Sequence, residues 1–318
     1  MNGPLVSIIM PAYNVEKYVR ETIETIFNQT YTNWELLVAD DASTDGTRRI
    51  LDSYTDPRIR CFHNEKNLKV LKTRNKLLPH AKGELIAFMD ADDTNHPQRL
   101  EKQVARFAQK PNLGFCGTWV QAMDESGTAI RVNSKPVTNE EIKEGMKKFN
   151  PIGEATILVP KKVLDEVGYF REYFDGLPCQ VYDLAYLISE KYECENIPEV
   201  LYYYRMNPNS NSKKIDPRRI VTYDLVQYLG KQRQQKGTDD IMDNRLDLLN
   251  RKMEELLQPY QNDPSLVYRY YAGSFMYSKL YDKAIQASID AIKVSPGKVV
   301  NYRTLFYCFR KKIQTKFT

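Results

Sequence analysis

Four acidic side chains lie within residues 83–93, whose sequence is GELIAFMDADD. The apolar run 85–89 is typical of a strand that is covered on both faces. Asp90, Asp92 and Asp93 come directly after this run, at the strand end where open α/β sheets bind ligands. Neighbouring carboxylates raise one another's pKa, and a divalent cation removes that repulsion. Their oxygens suit Mg²⁺ or Mn²⁺, which proteins hold with one or two carboxylates and with substrate phosphates. A solvated acidic turn is the alternative interpretation.

Polar residues also follow two apolar runs nearer the N-terminus. Tyr13 comes shortly after the run 5–10, and Asp40 and Asp41 come directly after the run 34–39. An aromatic ring and a carboxylate at adjoining strand ends suit a nucleotide base, because the ring offers a stacking face and the carboxylate accepts a ring N–H. The alternatives are an aromatic side chain that fills a loop and an aspartate that caps the next helix.

The elements that must position these loops alternate between strand and helix patterns. Strands are predicted at 5–10, 34–39, 58–62, 85–89, 113–123 and 155–159, and helices at 15–28, 48–54, 68–78, 96–109, 140–149 and 181–191. Alternation at intervals of about 25–30 residues indicates a parallel sheet wound with helices. Asn14 is predicted to cap the first helix and Asp45 the second.

The C-terminal third of the chain has a different pattern. Residues 208–212 are polar and rich in turn formers, and from about Pro217 onward the pattern is almost wholly helical. We therefore predict an α/β domain over residues 1–212 and a helical region over residues 213–318. The stretch 280–297 resembles the second helix of a tetratricopeptide-like hairpin, but one copy is not an array. A packing appendage of helices is the favoured interpretation.

The composition is that of a globular protein. The chain has 318 residues, of which 42% are hydrophobic and 27% are charged, so it can bury a sizeable core. Five cysteines without paired spacing predict a reducing compartment and no disulfide framework. The sequence shows neither a signal peptide nor an apolar stretch long enough to span a bilayer. These features predict a cytoplasmic protein, at most peripheral to the inner face of the plasma membrane.

The positive charge of the chain is concentrated towards the C-terminus. The net charge is +5, and no nucleic-acid partner is expected from it. The basic residues of the C-terminal half include Lys213, Lys214, Arg218, Arg219, Arg310, Lys311 and Lys312. They allow an anionic substrate or a peripheral membrane contact, although a solvated face is the plainer interpretation.

Five motifs follow one another between residues 11 and 205. They are Pro11-Ala12-Tyr13-Asn14, DDASTDGT at 40–47, Asn67 with Thr73-Arg74-Asn75, Asp90-Ala91-Asp92-Asp93, and IPEVLYYYR at 197–205. In this order they resemble the inverting nucleotide-sugar glycosyltransferases of the GT-A fold, in particular the large family 2. The resemblance covers residues 4–212. It implies a Rossmann-like α/β fold with a mixed sheet flanked by helices, and it leaves an all-helical appendage at the C-terminus.

The resemblance also implies a role for each motif. The residues implied to bind the nucleotide are Pro11, Ala12, Tyr13, Asn14, Asp40, Asp41, Arg74, Asp90 and Ala91. Asp92 is the implied metal ligand, and Asp90 contacts the ribose, or the metal through water. The metal, Mg²⁺ or Mn²⁺, stabilises the departing diphosphate as a Lewis acid. The expected donor is a UDP-sugar, the expected acceptor is a glycan or a lipid-linked molecule, and the expected process is cell-surface polysaccharide synthesis. A surface salt bridge is the alternative for Arg74.

The chain departs from the family pattern where the catalytic base is expected. Inverting transfer needs a carboxylate near the acceptor hydroxyl, and the family carries it in a Glu-Asp pair just before a helix start. Here Gln180-Val181 replaces that pair. Asp183 and Asp175 are therefore the candidate bases, and Asp183 is preferred because it shares the helix start with the replaced pair. A helix-capping role is the alternative for Asp183.

Two smaller departures are Lys69, where the family has a glycine, and Asn207, where a histidine is common.

Three functions remain open from the sequence. The first is an active, metal-dependent inverting glycosyltransferase. The second is a nucleotide-sugar-binding protein that has lost its base. The third is a helical interaction module carried on an α/β platform.

Overall fold

The computed structural model describes residues 3–206 and 215–314. The chain divides into two compact units, Met1–Asn207 and Pro208–Thr318. The predicted boundary at 208–212 lies outside the described residues, and so does Asn207.

The described part of the first unit is built around a nine-stranded mixed sheet. Its strands are β1 (Val6–Ala12), β2 (Trp34–Asp40), β3 (Ile59–His63), β4 (Leu85–Phe88), β5 (Thr94–Asn95), β6 (Leu113–Met123), β7 (Ala129–Asn133), β8 (Leu158–Pro160) and β9 (Glu193–Arg205). The strand order is β3-β2-β1-β4-β8-β6-β9-β5, and β7 pairs with β6. Strands β1 to β4 are mutually parallel, as the alternation predicts, whereas β8 runs antiparallel to both β4 and β6.

Helices flank this sheet. They are α1 (Val19–Phe27), α2 (Thr47–Leu51), α3 (Lys69–Leu77), α4 (Arg99–Gln109), α5 (Asn139–Met146), α6 (Lys161–Val167) and α7 (Gln180–Lys191). Val19, Ile23 and Ile26 of α1 share one core with Leu100 and Val104 of α4 and with alternate residues of β1, β2 and β4. Each such aliphatic side chain contributes about 1.5–3 kcal/mol when it is fully buried. This core fixes the strand ends that carry the polar loops.

The first helix begins four residues later than predicted, directly after Tyr18. Asn14 has a φ of +52°, a left-handed conformation that asparagine tolerates better than most residues. The prediction that Asn14 caps this helix is therefore wrong, and its side-chain oxygen instead accepts a hydrogen bond from the Thr44 N–H at 2.8 Å. The cap position of α2 is Gly46 and not Asp45 as predicted, but the Asp45 side chain accepts a hydrogen bond from the N–H of Thr47, the first residue of the helix, at 3.0 Å.

The described part of the second unit is helical, as predicted. Its helices are α8 (Pro217–Lys236), α9 (Leu246–Asn262), α10 (Ser265–Tyr277), α11 (Tyr281–Val294) and α12 (Val299–Gln314). Tyr271 and Phe275 of α10 pack in one core with Ala284 of α11 and Cys308 of α12. Within residues 3–206 and 215–314, no helix is both long and apolar enough to cross a membrane.

Candidate active site

The polar loops that follow β1, β2 and β4 lie along one edge of the sheet, because these strands are parallel neighbours. Pro11 and Ala12 are the last residues of β1, and Ala12 is in register with Asp40 at the end of β2. Tyr13 and Asp41 therefore follow adjacent strand ends. The structure thus gathers the predicted nucleotide-binding residues of the first two motifs into one place.

Hydrogen bonds join the loop after β1 to the loop after β2. The Asn14 N–H donates to the Ser43 hydroxyl at 3.0 Å, and the Glu16 N–H donates to Asp45 at 3.1 Å. Glu16 in turn accepts a hydrogen bond from the Gly46 N–H at 2.8 Å. The Tyr13 side chain is 41% exposed beside this joined pair of loops. A tyrosine that is exposed on a braced loop is suited to stack on a nucleobase.

The two aspartates at the end of β2 are both buried, and they have different partners. One oxygen of Asp40 accepts a hydrogen bond from the Ser43 N–H at 3.2 Å. Asp41 accepts hydrogen bonds from the Asn64 side chain at 2.7 Å and from the Leu68 N–H at 2.8 Å. Asp41 therefore links the ends of β2 and β3 to the start of α3, and Asn64 is a supporting residue that sequence reasoning missed.

Arg74 of α3 forms a salt bridge with Asp90 of the acidic loop, but the arginine is buried and does not lie on the surface as that alternative had it. Its guanidinium contacts an Asp90 oxygen at 2.7 Å and lies 5.7 Å from the ring centroids of Phe88 and Phe170. Its Nε–H is buried and has no hydrogen-bond partner among the described residues. The Asp90 side chain remains 40% exposed. Arg74 thus places a buried positive charge beside Asp90 at the acidic loop.

Asp93 anchors the acidic loop to the end of β9. It is fully buried, and it accepts hydrogen bonds from the Tyr202 hydroxyl and from the Arg205 N–H, both at 2.8 Å. Burial and the charges of Asp92 and Asp90 raise the pKa of the Asp93 carboxyl well above its usual value. Asp93 is therefore a structural member of the loop.

Asp92 is half-buried between the two other acids. Burial, followed by the charge of Asp90, raises the pKa of Asp92 to about 6. A bound cation would stabilise the charged form and so reverse this shift. The described residues contain no group of three or more His, Cys, Asp or Glu side chains placed to hold a metal. Proteins hold Mg²⁺ with one or two carboxylates and with substrate phosphates, and Asp92 with Asp90 matches that donor set.

The two candidate bases have different surroundings. Asp183 lies in the first turn of α7 and is only 1% exposed, and both its oxygens contact the Arg171 guanidinium, with Nε at 2.7 Å. Gln180 and Val181 are buried at the same helix start. Both oxygens of Asp183 thus contact Arg171 and are shielded from solvent, and the geometry favours a structural role for it. Its partner Arg171 was missed by sequence reasoning.

Asp175 follows a short 3₁₀ turn at Glu172–Phe174, and its side chain is 19% exposed. One carboxylate oxygen lies 3.4 Å from the Lys69 Nζ, and the other is buried without a hydrogen-bond partner among the described residues. Lys69 has a φ of +65°, in the left-handed region that favours glycine. The lysine that replaces the family's glycine therefore contacts the more accessible candidate base.

The segment that carries Asp175 is fixed to α3. The Asn75 side chain donates to the Phe170 carbonyl at 2.8 Å and accepts from the Phe170 N–H at 3.1 Å. The Phe170 ring in turn lies against Arg74, the partner of Asp90. Lys69 and Arg74 thus belong to α3, and the segment that carries Asp175 is hydrogen-bonded to the same helix.

Comparison with known proteins gives a family match and several relatives. The family model described as Glycosyl transferase family 2 matches residues 7–174, more than half of the chain. EpsE of Bacillus subtilis (strain 168) is 34% identical over 228 residues, which are 70% of this chain and 79% of EpsE. The Escherichia coli enzyme UDP-Glc:alpha-D-GlcNAc-diphosphoundecaprenol beta-1,3-glucosyltransferase WfgD is 43% identical over 115 residues, which are 36% of this chain and 45% of WfgD.

Solved structures share the fold at low sequence identity. Residues 1–349 of S. aureus TarS in complex with UDP-GlcNAc match with a TM-score of 0.60 and 18% identity, covering 96% of this chain and 92% of that one. The mannosyltransferase PcManGT from Pyrobaculum calidifontis, in complex with GDP-Man and Mn²⁺, matches with a TM-score of 0.55 and 16% identity, covering 98% and 81%. These matches confirm the expected GT-A fold. From the family model and the extent of the match to EpsE, the chain belongs to glycosyltransferase family 2.

Proposed function

We propose that this glycosyltransferase moves a sugar from a UDP-sugar to a lipid-linked or glycan acceptor, with inversion, and that it depends on Mg²⁺ or Mn²⁺ held by Asp92 and Asp90. The acidic loop after β4 carries the proposal. There Asp90 is paired with the buried Arg74, and the pKa of Asp92 is raised to about 6 by burial and by Asp90. Such a loop is stabilised when a cation and a diphosphate bind beside it.

The proposed donor and metal have support from the structural relatives. TarS binds UDP-GlcNAc and PcManGT binds GDP-Man with Mn²⁺, so a nucleotide-sugar and a divalent cation are consistent with the shared fold. In this chain Tyr13 would stack on the base, and Asp40 would accept its ring N–H. When bound, the cation would act as a Lewis acid on the departing diphosphate.

A lipid-linked acceptor is the preferred proposal, because WfgD acts on a diphosphoundecaprenol-linked sugar. Such an acceptor suits cell-surface polysaccharide synthesis by a cytoplasmic enzyme that is peripheral to the inner face of the plasma membrane.

Asp175 is the proposed base, since its carboxylate is the more accessible of the two candidates. It would take the proton of the acceptor hydroxyl while the hydroxyl oxygen forms its bond to the anomeric carbon on the face opposite the diphosphate. The bond from that carbon to the diphosphate breaks, and its electron pair leaves with the nucleoside diphosphate. The Arg74 guanidinium beside Asp90 would contribute positive charge near that leaving group.

Thermal unfolding with UDP tests the metal assignment. We expect UDP with Mn²⁺ to raise the melting temperature of the wild-type chain, and a chelator to remove most of that rise. Asp92→Asn should keep the melting temperature of the free protein and lose the response to Mn²⁺. Asp247→Asn, which changes an exposed aspartate of α9, serves as the matched control and should behave as wild type. An equal response to UDP with and without chelator would refute the metal assignment.

Turnover of UDP-sugars separates the proposed enzyme from its alternatives. Release of UDP in the presence of a diphosphoundecaprenol-linked sugar supports transfer. Metal-dependent UDP binding without turnover on any acceptor would instead support a nucleotide-sugar-binding protein that has lost its base. A chain that binds no nucleoside diphosphate would support the helical interaction module.

A further inference from the structure

Helix α12 carries a stripe of large apolar side chains that are exposed to solvent. The members of this stripe are Val299, Tyr302, Phe306, Phe309 and Ile313, and they are 45–70% exposed. Their spacing alternates between three and four residues, which places them along one side of a helix. The exposed stripe is thus continuous over the length of α12.

The opposite side of α12 is the one that packs within its own unit. Cys308 is buried in the core that α10 and α11 form. Asn301 is also buried, and its side chain donates to the carbonyls of Ala291 at 3.0 Å and Ser295 at 2.9 Å. These contacts fix the rotation of the helix. The apolar stripe is therefore held outwards by the packing of the second unit.

Cations accompany the stripe. Helix α12 contains Arg303, Arg310, Lys311 and Lys312, and it contains no aspartate or glutamate. Arg303 and Arg310 are exposed, and each follows a stripe residue by one position, so both lie about 100° further around the helix. Arg310 also lies over the Tyr307 ring at 5.9 Å. The outer face of α12 is thus apolar along its centre and positive along one border.

An apolar stripe with this spacing could bind either a second copy of the helix or a membrane surface. The charges of α12 distinguish between these two partners. In a coiled coil of two copies, the positions that flank the stripe would include Arg303 and Arg310, without an acidic side chain on either helix to pair with them. Like charges would then face one another. An anionic bilayer attracts the same cations, and aromatic side chains suit the boundary between its headgroups and acyl chains.

We propose that the outer face of α12 binds the chain to an anionic membrane, with the helix lying in the plane of the bilayer surface. Val299, Tyr302, Phe306, Phe309 and Ile313 enter the boundary between headgroups and acyl chains, and Arg303 and Arg310 contact the lipid phosphates. The helix is about 24 Å long at its ordinary rise, which is enough to lie across several lipids. Membrane binding by this surface does not depend on the proposed function. Only its biological role does, which is to bring the enzyme to a lipid-linked acceptor.

Co-sedimentation of the full chain with vesicles tests this surface. We expect binding to vesicles of phosphatidylcholine with about one third phosphatidylglycerol, and much weaker binding to phosphatidylcholine alone. Arg303→Gln with Arg310→Gln should weaken binding to the mixed vesicles about 25-fold, since each cation near an anionic surface contributes about five-fold. Phe306→Ser with Ile313→Ser should weaken it at least about ten-fold. Added salt should weaken wild-type binding.

The matched control changes two exposed cations elsewhere in the same unit, Lys231→Gln on α8 with Arg251→Gln on α9. It should lose less than about three-fold in vesicle binding, because those cations lie outside the proposed surface. Two results would overturn the proposal. One is wild-type binding of equal strength to vesicles with and without phosphatidylglycerol. The other is a control variant whose vesicle binding is as weak as that of the α12 variants. The proposal would also be overturned if the wild-type chain does not bind vesicles but forms a dimer, and if Phe306→Ser dissociates that dimer. A chain that binds vesicles but no nucleotide would refute the proposed function and uphold this surface.

Discussion

Asp183 and Asp175 show why the catalytic base could not be chosen from the sequence. Asp183 was preferred for its place at the helix start, but its carboxylate is occupied by Arg171, twelve residues earlier in the chain. Nothing in the local pattern around Arg171 indicates that contact. Asp175 contacts Lys69, which is 106 residues away in the chain. The positions of the acids were predictable, and their partners depended on the tertiary fold.

The contrast between these two acids gives the first prediction. Asp175→Asn should lower turnover by about 10²–10⁴-fold and leave UDP affinity and the melting temperature unchanged, because it removes a general base. Asp183→Asn should instead destabilise the fold by up to about 3–5 kcal/mol, since it leaves the Arg171 charge buried beside a neutral group. Steady-state kinetics, calorimetric UDP titration and thermal unfolding on both variants check this. Full turnover by Asp175→Asn would place the base elsewhere.

Tyr13 provides a test of the nucleotide site that does not involve the metal. Stacking on a base is worth about 1–3 kcal/mol by alanine substitution, so Tyr13→Ala should weaken UDP binding about ten-fold or more. Tyr13→Phe keeps the ring and should bind as wild type. Calorimetric titration of UDP measures both. An unchanged affinity in the alanine variant would mean that the ring only fills its loop.

Among the elements, those built from local patterns were predicted best. Residues 113–123 form a strand with the predicted bounds, whereas α6 was missed. Strand β9 was also not predicted. It contains Pro198, which is unfavourable within a strand, and the pairing of β9 with β6 shifts register near that residue. The buried Arg99 also gave no signal. Its guanidinium donates to the Ala155 carbonyl at 2.9 Å and to the Asn95 side chain at 2.7 Å, and neither contact follows from helical periodicity.

Asp263 makes the stability of the second unit depend on pH. It lies between α9 and α10, and its carboxylate contacts the Lys298 Nζ at 2.8 Å, the Arg269 Nη2 at 3.1 Å and the Ser265 hydroxyl at 2.6 Å. Burial alone would raise the pKa of Asp263, but hydrogen bonds from Lys298, Ser265 and Arg269 outweigh it and hold the pKa well below its usual value. The ionised carboxylate thus ties α10 to the start of α12.

The sign of the pH dependence follows from that lowered pKa. The ionised carboxylate stabilises the fold above the unfolded pKa of about 3.9, and this contribution is lost as pH falls towards the folded value. Asp263→Asn should therefore melt below wild type at neutral pH, and the difference should shrink as pH falls below about 4. Melting curves across this range test it, with Asp247→Asn as the control. A difference that stays constant with pH would contradict the assignment.

Taken over its full length, the chain illustrates what periodicity can and cannot reveal. The division into an α/β part and a helical part was visible as a change of pattern, and the family motifs indicated the fold of the first part. The sequence of α12 also contains apolar residues at helical spacing. Periodicity does not say which side is covered, since that depends on where Cys308 and Asn301 meet their neighbours. The exposed stripe was therefore recognisable only from the structure.

The left-handed backbone of Lys69 has a consequence for how this sequence can evolve. A side chain at that φ costs about 1–2 kcal/mol that glycine would avoid, so selection for folding alone would favour glycine there. The ammonium group of Lys69 contacts Asp175 at 3.4 Å, which glycine could not do, so this contact is the feature that would offset the cost. Lineages that keep the lysine should therefore keep the aspartate, and the loss of either residue should release the other to drift.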